Sequence, residues 1–263
     1  MDDMSVPAPD ARFHGEPPLY LTSPLLTQAG LPHLFSTRHC PGVRFRRDPG
    51  GPFDPSAYAL FTERGLGGEP VAFLRQVHGA LFVTALHGGS VGTADVLITS
   101  RPGLPMAIFT ADCLPIIVFD QPNRRLAMAH AGWRGTVESA ARVAVDALTR
   151  AGGKPEAFLA AIGPSIGPCC YEVDRPVIDR LAAAFPSAWG DWVRAAGPGK
   201  WMLDLWAANQ DQLKTAGLSK ARIDNPRLCT ACRMDLFFSY RRGRGQGRLV
   251  ALAAIPDGRA PAC

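Results

Sequence analysis

Apolar residues in this chain come in short runs cut off by turn residues, a spacing that suits strands better than long helices. Such runs occupy residues 71–77, 81–86, 105–110, 115–119, 126–130, 158–162, 236–240 and 249–255. Gln121, Pro122 and Asn123 mark a tight turn between two of them. Three helices are expected. Thr136 caps one that runs to about residue 151, where Gly152 and Gly153 stop it. Asp174 caps a second, through about 185. Asp204 caps a third, with Gly217 just past its end. The segments 43–69 and 186–200 read as long connections rich in Gly and Pro. Strands outnumber helices, so the expected fold class is α+β with antiparallel or mixed sheets.

The 263 residues are 47% hydrophobic, enough for one sizeable core, and only 19% are charged, too few for long disordered stretches to dominate. One domain over 19–263 is expected, after a loose tail at 1–18. No apolar run is long enough for a membrane span. The first residues carry acids where a signal peptide has Lys or Arg, so the expected location is the cytoplasm. Seven cysteines, an odd number, argue against a disulfide framework and leave the thiols free, metal-bound or catalytic. The net charge of +5 gathers at Arg44, Arg46, Arg47 and at Arg241, Arg242, Arg244, Arg248. A solvated basic face is favoured over nucleic-acid binding, because no aromatic-interleaved stripe accompanies the arginines. Such a surface also suits an anionic small substrate such as phosphate.

His78, Cys113 and His130 each end an apolar strand-like run, where a polar side chain is held rigidly yet opens to a surface. Two imidazoles and a thiol suit Zn²⁺ or copper, and three protein ligands leave a fourth position open, as in catalytic zinc sites. On spacing alone the ordinary roles prevail: a hydrogen-bonded histidine and a buried thiol.

The turn after His130 carries more. Gly132 and Gly135 permit close backbone approach or a positive φ. A helix N-terminus there would present free N–H groups to an anion. Arg134 adds a bidentate fork, and Trp133 a stacking face. A strained turn with a packed Trp explains the same residues equally well. Cys169-Cys170 and the lone Cys229-Thr230-Ala231-Cys232 are expected to be structural, since neighbouring cysteines seldom share a metal and no second C-x-x-C exists.

Gln76-Val77-His78-Gly79, then 110–116 around Asp112-Cys113, then 129–136 around His130, resemble the three signature segments of the laccase-domain family. That family has been called multicopper polyphenol oxidase, purine nucleoside phosphorylase and peptidoglycan editing factor. Phe35-Ser36-Thr37-Arg38, 163–173, Leu203-Asp204-Leu205 and 237–242 agree as well. The likeness spans roughly 20–256 and implies a single-domain layered sandwich, sheets inside and helices outside. It also implies that His78, Cys113 and His130 are both metal ligands and catalytic residues. Where the family carries a Gly-Gly-Val-Ser turn and a later Asn-Arg pair, this chain has His39-Cys40-Pro41-Gly42-Val43 and an Arg- and Gly-rich stretch.

The resemblance favours a zinc-dependent purine nucleoside phosphorylase for adenosine, inosine or methylthioadenosine, with adenosine deamination when water is the nucleophile. Arg38, Arg134 and Arg241 would then contact phosphate or ribose, and Trp133 would stack on the base. The partners are the nucleoside and phosphate, with no membrane or specific nucleic acid, in a monomer or small homo-oligomer. A copper polyphenol oxidase needs many more His and Cys donors than six histidines supply. A cysteine amidase acting on peptidoglycan precursors would use Cys113 as nucleophile and His78 or His130 as base. A nucleic-acid-binding module would use the arginines and tolerate Cys113→Ala.

Overall fold

The structure, a computed structural model, describes residues 12–43, 51–67, 69–243 and 247–257. In chain order it contains β1 (Arg12–His14), β2 (Tyr20–Thr22), α1 (Pro24–Gln28), β3 (His33–Ser36), α2 (Pro55–Glu63), β4 (Ala72–Arg75), β5 (Phe82–Thr84), β6 (Gly89–Thr93), β7 (Val96–Thr99) and β8 (Met106–Thr110). The central hairpin is β9 (Leu114–Asp120) and β10 (Arg125–Ala131), followed by α3 (Trp133–Val137), α4 (Ala140–Arg150) and β11 (Leu159–Ile162). The rest is β12 (Glu172–Asp174), α5 (Arg175–Ala184), β13 (Val193–Gly197), β14 (Lys200–Leu203), α6 (Leu205–Thr215), β15 (Ile223–Asp224), α7 (Tyr240–Gly243) and β16 (Leu249–Ala253).

Two mixed sheets face each other. The first runs β1-β2-β3-β16-β8-β4-β6, and the second β15-β11-β9-β10-β7-β5. Alternation along β9 explains the layering. Leu114, Ile116 and Val118 point to α4, α5 and α6, whereas Ile117 and Phe119 point into the space between the sheets. Both faces are covered, so β9 reads as one continuous apolar run. The outer face of the first sheet packs Leu34, Phe109 and Leu252 against Phe61 of α2. The fold is thus the expected α+β sandwich with helices outside. Among the described residues no helix is long and apolar enough to cross a membrane.

Several local expectations need correction. Residues 12–14, placed in the loose tail, pair with β2 as a strand; residues 1–11 lie outside the described residues. The segment 43–69 holds α2, started by Asp54, whose side chain accepts the Ser56 N–H, and by Pro55 at its first position. The segment 186–200 holds β13, half of a hairpin with β14. The run 236–240 is no strand: Ser239 and Asp112 accept the Arg242 and Arg241 backbone N–H groups and start α7 instead. Thr136 does not cap a helix. The helix begins three residues earlier, at Trp133, and breaks at Ser139, which lies at φ 63°. The cause is α6, whose Gln212 donates to the Thr136 carbonyl and whose Asn209 donates to its hydroxyl. Arg44, Arg46, Arg47 and Arg244 of the basic clusters lie outside the described residues.

Candidate active site

The chain leaves the first sheet after β4, β6 and β8 and enters the second at β5, β7 and β9. Since β4 is parallel to both β6 and β8, these three crossings open at the same end of the sandwich. His78 rides on the first crossing, Asp95 on the second and Cys113 on the third. His130 stands in β10 opposite Pro115, at the same end. One donor atom each from His78, Cys113 and His130 therefore meet within 4.8 Å of one another. The structure brings together the three residues that the sequence singled out.

Asp95, fully buried, organises them. Its carboxylate accepts the backbone N–H groups of His78 at 2.9 Å and Gly79 at 2.7 Å, and both oxygens lie 3.2 Å from the Val77 nitrogen. This cradle holds His78 in the left-handed region, φ 65°, which a histidine seldom enters unaided. The same carboxylate lies 2.8 Å from His130 Nδ1. Burial alone would raise the Asp95 pKa, but His130 and the Gly79 and His78 N–H groups outweigh it and leave the carboxyl below its ordinary range. An ionised Asp95 fixes the His130 proton on Nδ1 and frees Nε2 as the ligand atom.

Asp112 does similar work for Cys113. It lies at φ 87°, accepts the Thr230 hydroxyl on one oxygen at 2.7 Å and the Arg241 backbone N–H on the other at 2.7 Å. Gln76 bonds both the N–H and the carbonyl of Phe109, tying the first crossing to β8. Gly132 is required by crowding, because a Cβ there would fall 2.8 Å from Cys113 Sγ.

The site opens into a cavity of about 1200 Å³ lined by Arg75, Arg134, Arg241 and Arg248, with Tyr171 and Tyr240. Asp112 is the one carboxylate among the described lining residues, and both its oxygens are already engaged. The field in the cavity favours an anion. Arg134 lies 4.5 Å over the Trp133 ring, so one indole face is already covered. The five-residue α3 is too short for the helix-terminus anion site expected there, which leaves the charge to the guanidinium itself. The Arg241 guanidinium donates to the Glu172 carbonyl and stacks 5.0 Å over Tyr171. Arg38 stands apart: its guanidinium bonds the Met234 carbonyl and covers Phe238, away from the cavity lining. Sequence reasoning missed Asp95 and Arg75; it named Arg248 only within a basic cluster and Tyr171 only within a matching segment. Of the two missed, Arg75 alone carried a signal, as the polar break in an apolar run.

Burial would raise the Cys113 thiol, but the adjacent His130 and His78 prevail and bring it down to about 6. Burial would lower His130, but the Cys113 thiolate and Asp95 raise it to about 9. In metal-free protein the thiolate–imidazolium pair therefore exists between these limits. The thiolate's contribution is lost as pH falls through about 6, and the imidazolium's as pH rises through about 9. Alkylation of Cys113 by iodoacetamide, followed by peptide mapping, should rise with a midpoint near pH 6. A midpoint at the ordinary thiol value would show that the pair does not form.

The family model described as multi-copper polyphenol oxidoreductase laccase matches residues 57–256. A protein of Deinococcus radiodurans named purine nucleoside phosphorylase is 35% identical over 249 residues, covering 89% of this chain and 93% of its own. Purine nucleoside phosphorylase YlmD of Geobacillus stearothermophilus is 41% identical over 172 residues, 65% of this chain and 61% of that protein. Adenosine deaminase RL5, from an unknown prokaryotic organism, is 38% identical over 155 residues, 59% of each chain. The crystal structure of YlmD superposes with a TM-score of 0.83 at 31% identity, covering 94% of this chain and 100% of that one. With the fold, the signature segments and 200 consecutive matched positions in agreement, this chain belongs to the multi-copper polyphenol oxidoreductase laccase family, the laccase-domain family.

Proposed function

We propose that this chain is a zinc-dependent purine nucleoside phosphorylase acting on adenosine, inosine and methylthioadenosine, with adenosine deamination as a second reaction. The observation that carries the reading is the convergence of His78, Cys113 and His130 on a cationic cavity. Relatives named for phosphorolysis and deamination support it.

The donors fit zinc, with two imidazoles, one thiolate and a carboxylate behind one imidazole. When bound, zinc would supply Lewis acidity at an open fourth position. Arg134 offers phosphate a two-pronged contact, and Arg241 and Arg75 add positive charge. In phosphorolysis the bond from ribose to purine breaks as a phosphate oxygen bonds the ribose carbon, so negative charge builds on the purine. Burial holds the Tyr171 phenol above its ordinary pKa, so it offers that purine a neutral Oη–H donor. The cavity exceeds an ordinary ligand pocket, leaving room for nucleoside and phosphate together.

A second reading has its own support. Without metal, Cys113, His130 and Asp95 form a nucleophile, a base and an orienting carboxylate, as in cysteine hydrolases. Copper oxidation finds less support, because His14, His33, His39 and His87 bond elsewhere, to Thr22, Leu31, Asp235 and Gly88.

The deciding experiment measures zinc by mass spectrometry together with phosphate-dependent release of adenine from adenosine. Cys113→Ala should lose one zinc per chain, and chelation should abolish adenine release until zinc is restored. A wild type whose zinc content is the same as that of Cys113→Ala, that releases no base but is acylated on Cys113 by amide substrates, would transfer the assignment to the amidase. Arg134→Ala should raise the KM for phosphate roughly tenfold with zinc content unchanged. Equal loss of both would sink the role given to Arg134.

A further inference from the structure

Away from the active site, the sulfurs of Cys169, Cys170, Cys229 and Cys232 also lie within 4.8 Å of one another. Cys232 Sγ is 3.4 Å from both Cys169 Sγ and Cys170 Sγ. Adjacent cysteines point to opposite sides of an extended chain, which is why they seldom share a metal. Here the chain turns: the N–H groups of Cys170 and Tyr171 both bond the Gly167 carbonyl at 3.0 Å, so both thiols reach the same point.

The two loops are locked to each other. Ser165 N–H bonds the Leu228 carbonyl and Thr230 N–H bonds the Ser165 carbonyl, each at 3.1 Å. Trp206 packs so closely under Gly167 that a Cβ there would fall 2.4 Å from the indole, and its N–H bonds Ser165 Oγ at 2.7 Å. The four sulfurs are thus brought together by backbone that other contacts already fix.

We propose that these four cysteines bind a single zinc ion as a tetrahedral thiolate site. With zinc–sulfur bonds near 2.3 Å, tetrahedral thiolates sit roughly 3.8 Å apart. The observed spacing suits one ion, whereas thiolates that ligate different irons of a cluster stand further apart. Two neighbours suit a thiolate centre rather than thiols. The Gly167 N–H donates to Cys229 Sγ at 3.3 Å. The Arg242 guanidinium lies 4.0 Å from Cys170 Sγ, where it offsets the net negative charge of four thiolates around a divalent ion.

The site is structural, since four protein ligands leave no open position. Its two loops reach the active site: Ile166 and Tyr171 line the cavity, and Thr230 holds Asp112 beside Cys113. The inference is independent of the phosphorylase reading. Zinc here would persist in a chain whose catalytic site holds none.

The test uses Cys113→Ala, purified under reducing, anaerobic conditions from zinc-supplied cells. One zinc per chain should remain. Cys232→Ser added to it should bring zinc below one tenth per chain. Cobalt(II) in place of zinc should give intense thiolate charge-transfer absorption. Should the double variant fail to fold, titrating folded Cys113→Ala with an organomercurial should release one zinc per chain to a coloured chelator. A Cys113→Ala chain that holds no zinc, or one whose mass reveals a disulfide among these cysteines, would overturn the proposal. The phosphorylase reading would survive either result.

Discussion

Asp95→Asn should weaken zinc binding ten- to a hundredfold and lower the free energy of unfolding by about 3 kcal/mol. The substitution changes one oxygen to an NH₂ and leaves the volume nearly unaltered. In the native site both carboxylate oxygens accept, from the N–H groups of 77–79 and from His130 Nδ1. Asn must turn a donor toward one of these donors, leaving buried N–H groups unpartnered. Without a carboxylate on Nδ1, His130 also loses its fixed tautomer and part of its basicity as a ligand. His78 then loses the Asp95 cradle that supports its φ of 65°. Zinc affinity by competition with a chromophoric chelator and the urea midpoint measure the two effects. Unchanged values for both would mean that Asp95 is not the organiser of this site.

Gly132→Ala should reduce kcat/KM about a hundredfold while costing about 1–3 kcal/mol of stability. The added Cβ would lie 2.8 Å from Cys113 Sγ, closer than real contacts allow, so the thiol must move. Gly132 has φ −81°, which alanine adopts without strain, so the substitution tests crowding and not backbone freedom. Steady-state kinetics beside thermal unfolding would separate a displaced thiol from a damaged fold. Full activity in a stable variant would show that the Cys113 position is not critical.

The parts of this molecule legible in sequence are those written locally. The hairpin of β9 and β10, α5 and α6 carry their own periodicity, and Asp204 caps α6, whereas Asp174 stands at the α5 N-cap position without a side-chain bond. His78, Cys113 and His130 stood out because each polar residue ends an apolar run. Asp95 did not, because its value comes from residues 16–35 positions away that only the sheet crossings bring close. The break between α3 and α4 was hidden for the same reason, since Gln212 and Asn209 of α6 impose it. Cys232 meets Cys169 and Cys170, 63 and 62 residues away, through loop geometry that no motif encodes. Arg38 belongs to a matching segment, yet its guanidinium bonds the Met234 carbonyl, a partner 196 residues away that the sequence does not reveal.

The three sheet crossings have one more consequence. A guest that touches His78, Cys113 and His130 at once bridges two sheet crossings and β10, segments that part when the sandwich unfolds. Its binding energy is then shared with the whole sandwich, about 2.7 kcal/mol of added resistance to unfolding at a free concentration one hundred times its dissociation constant. Occupancy and folding become one linked equilibrium, and a chain starved of its guest is also a chain more exposed to proteolysis.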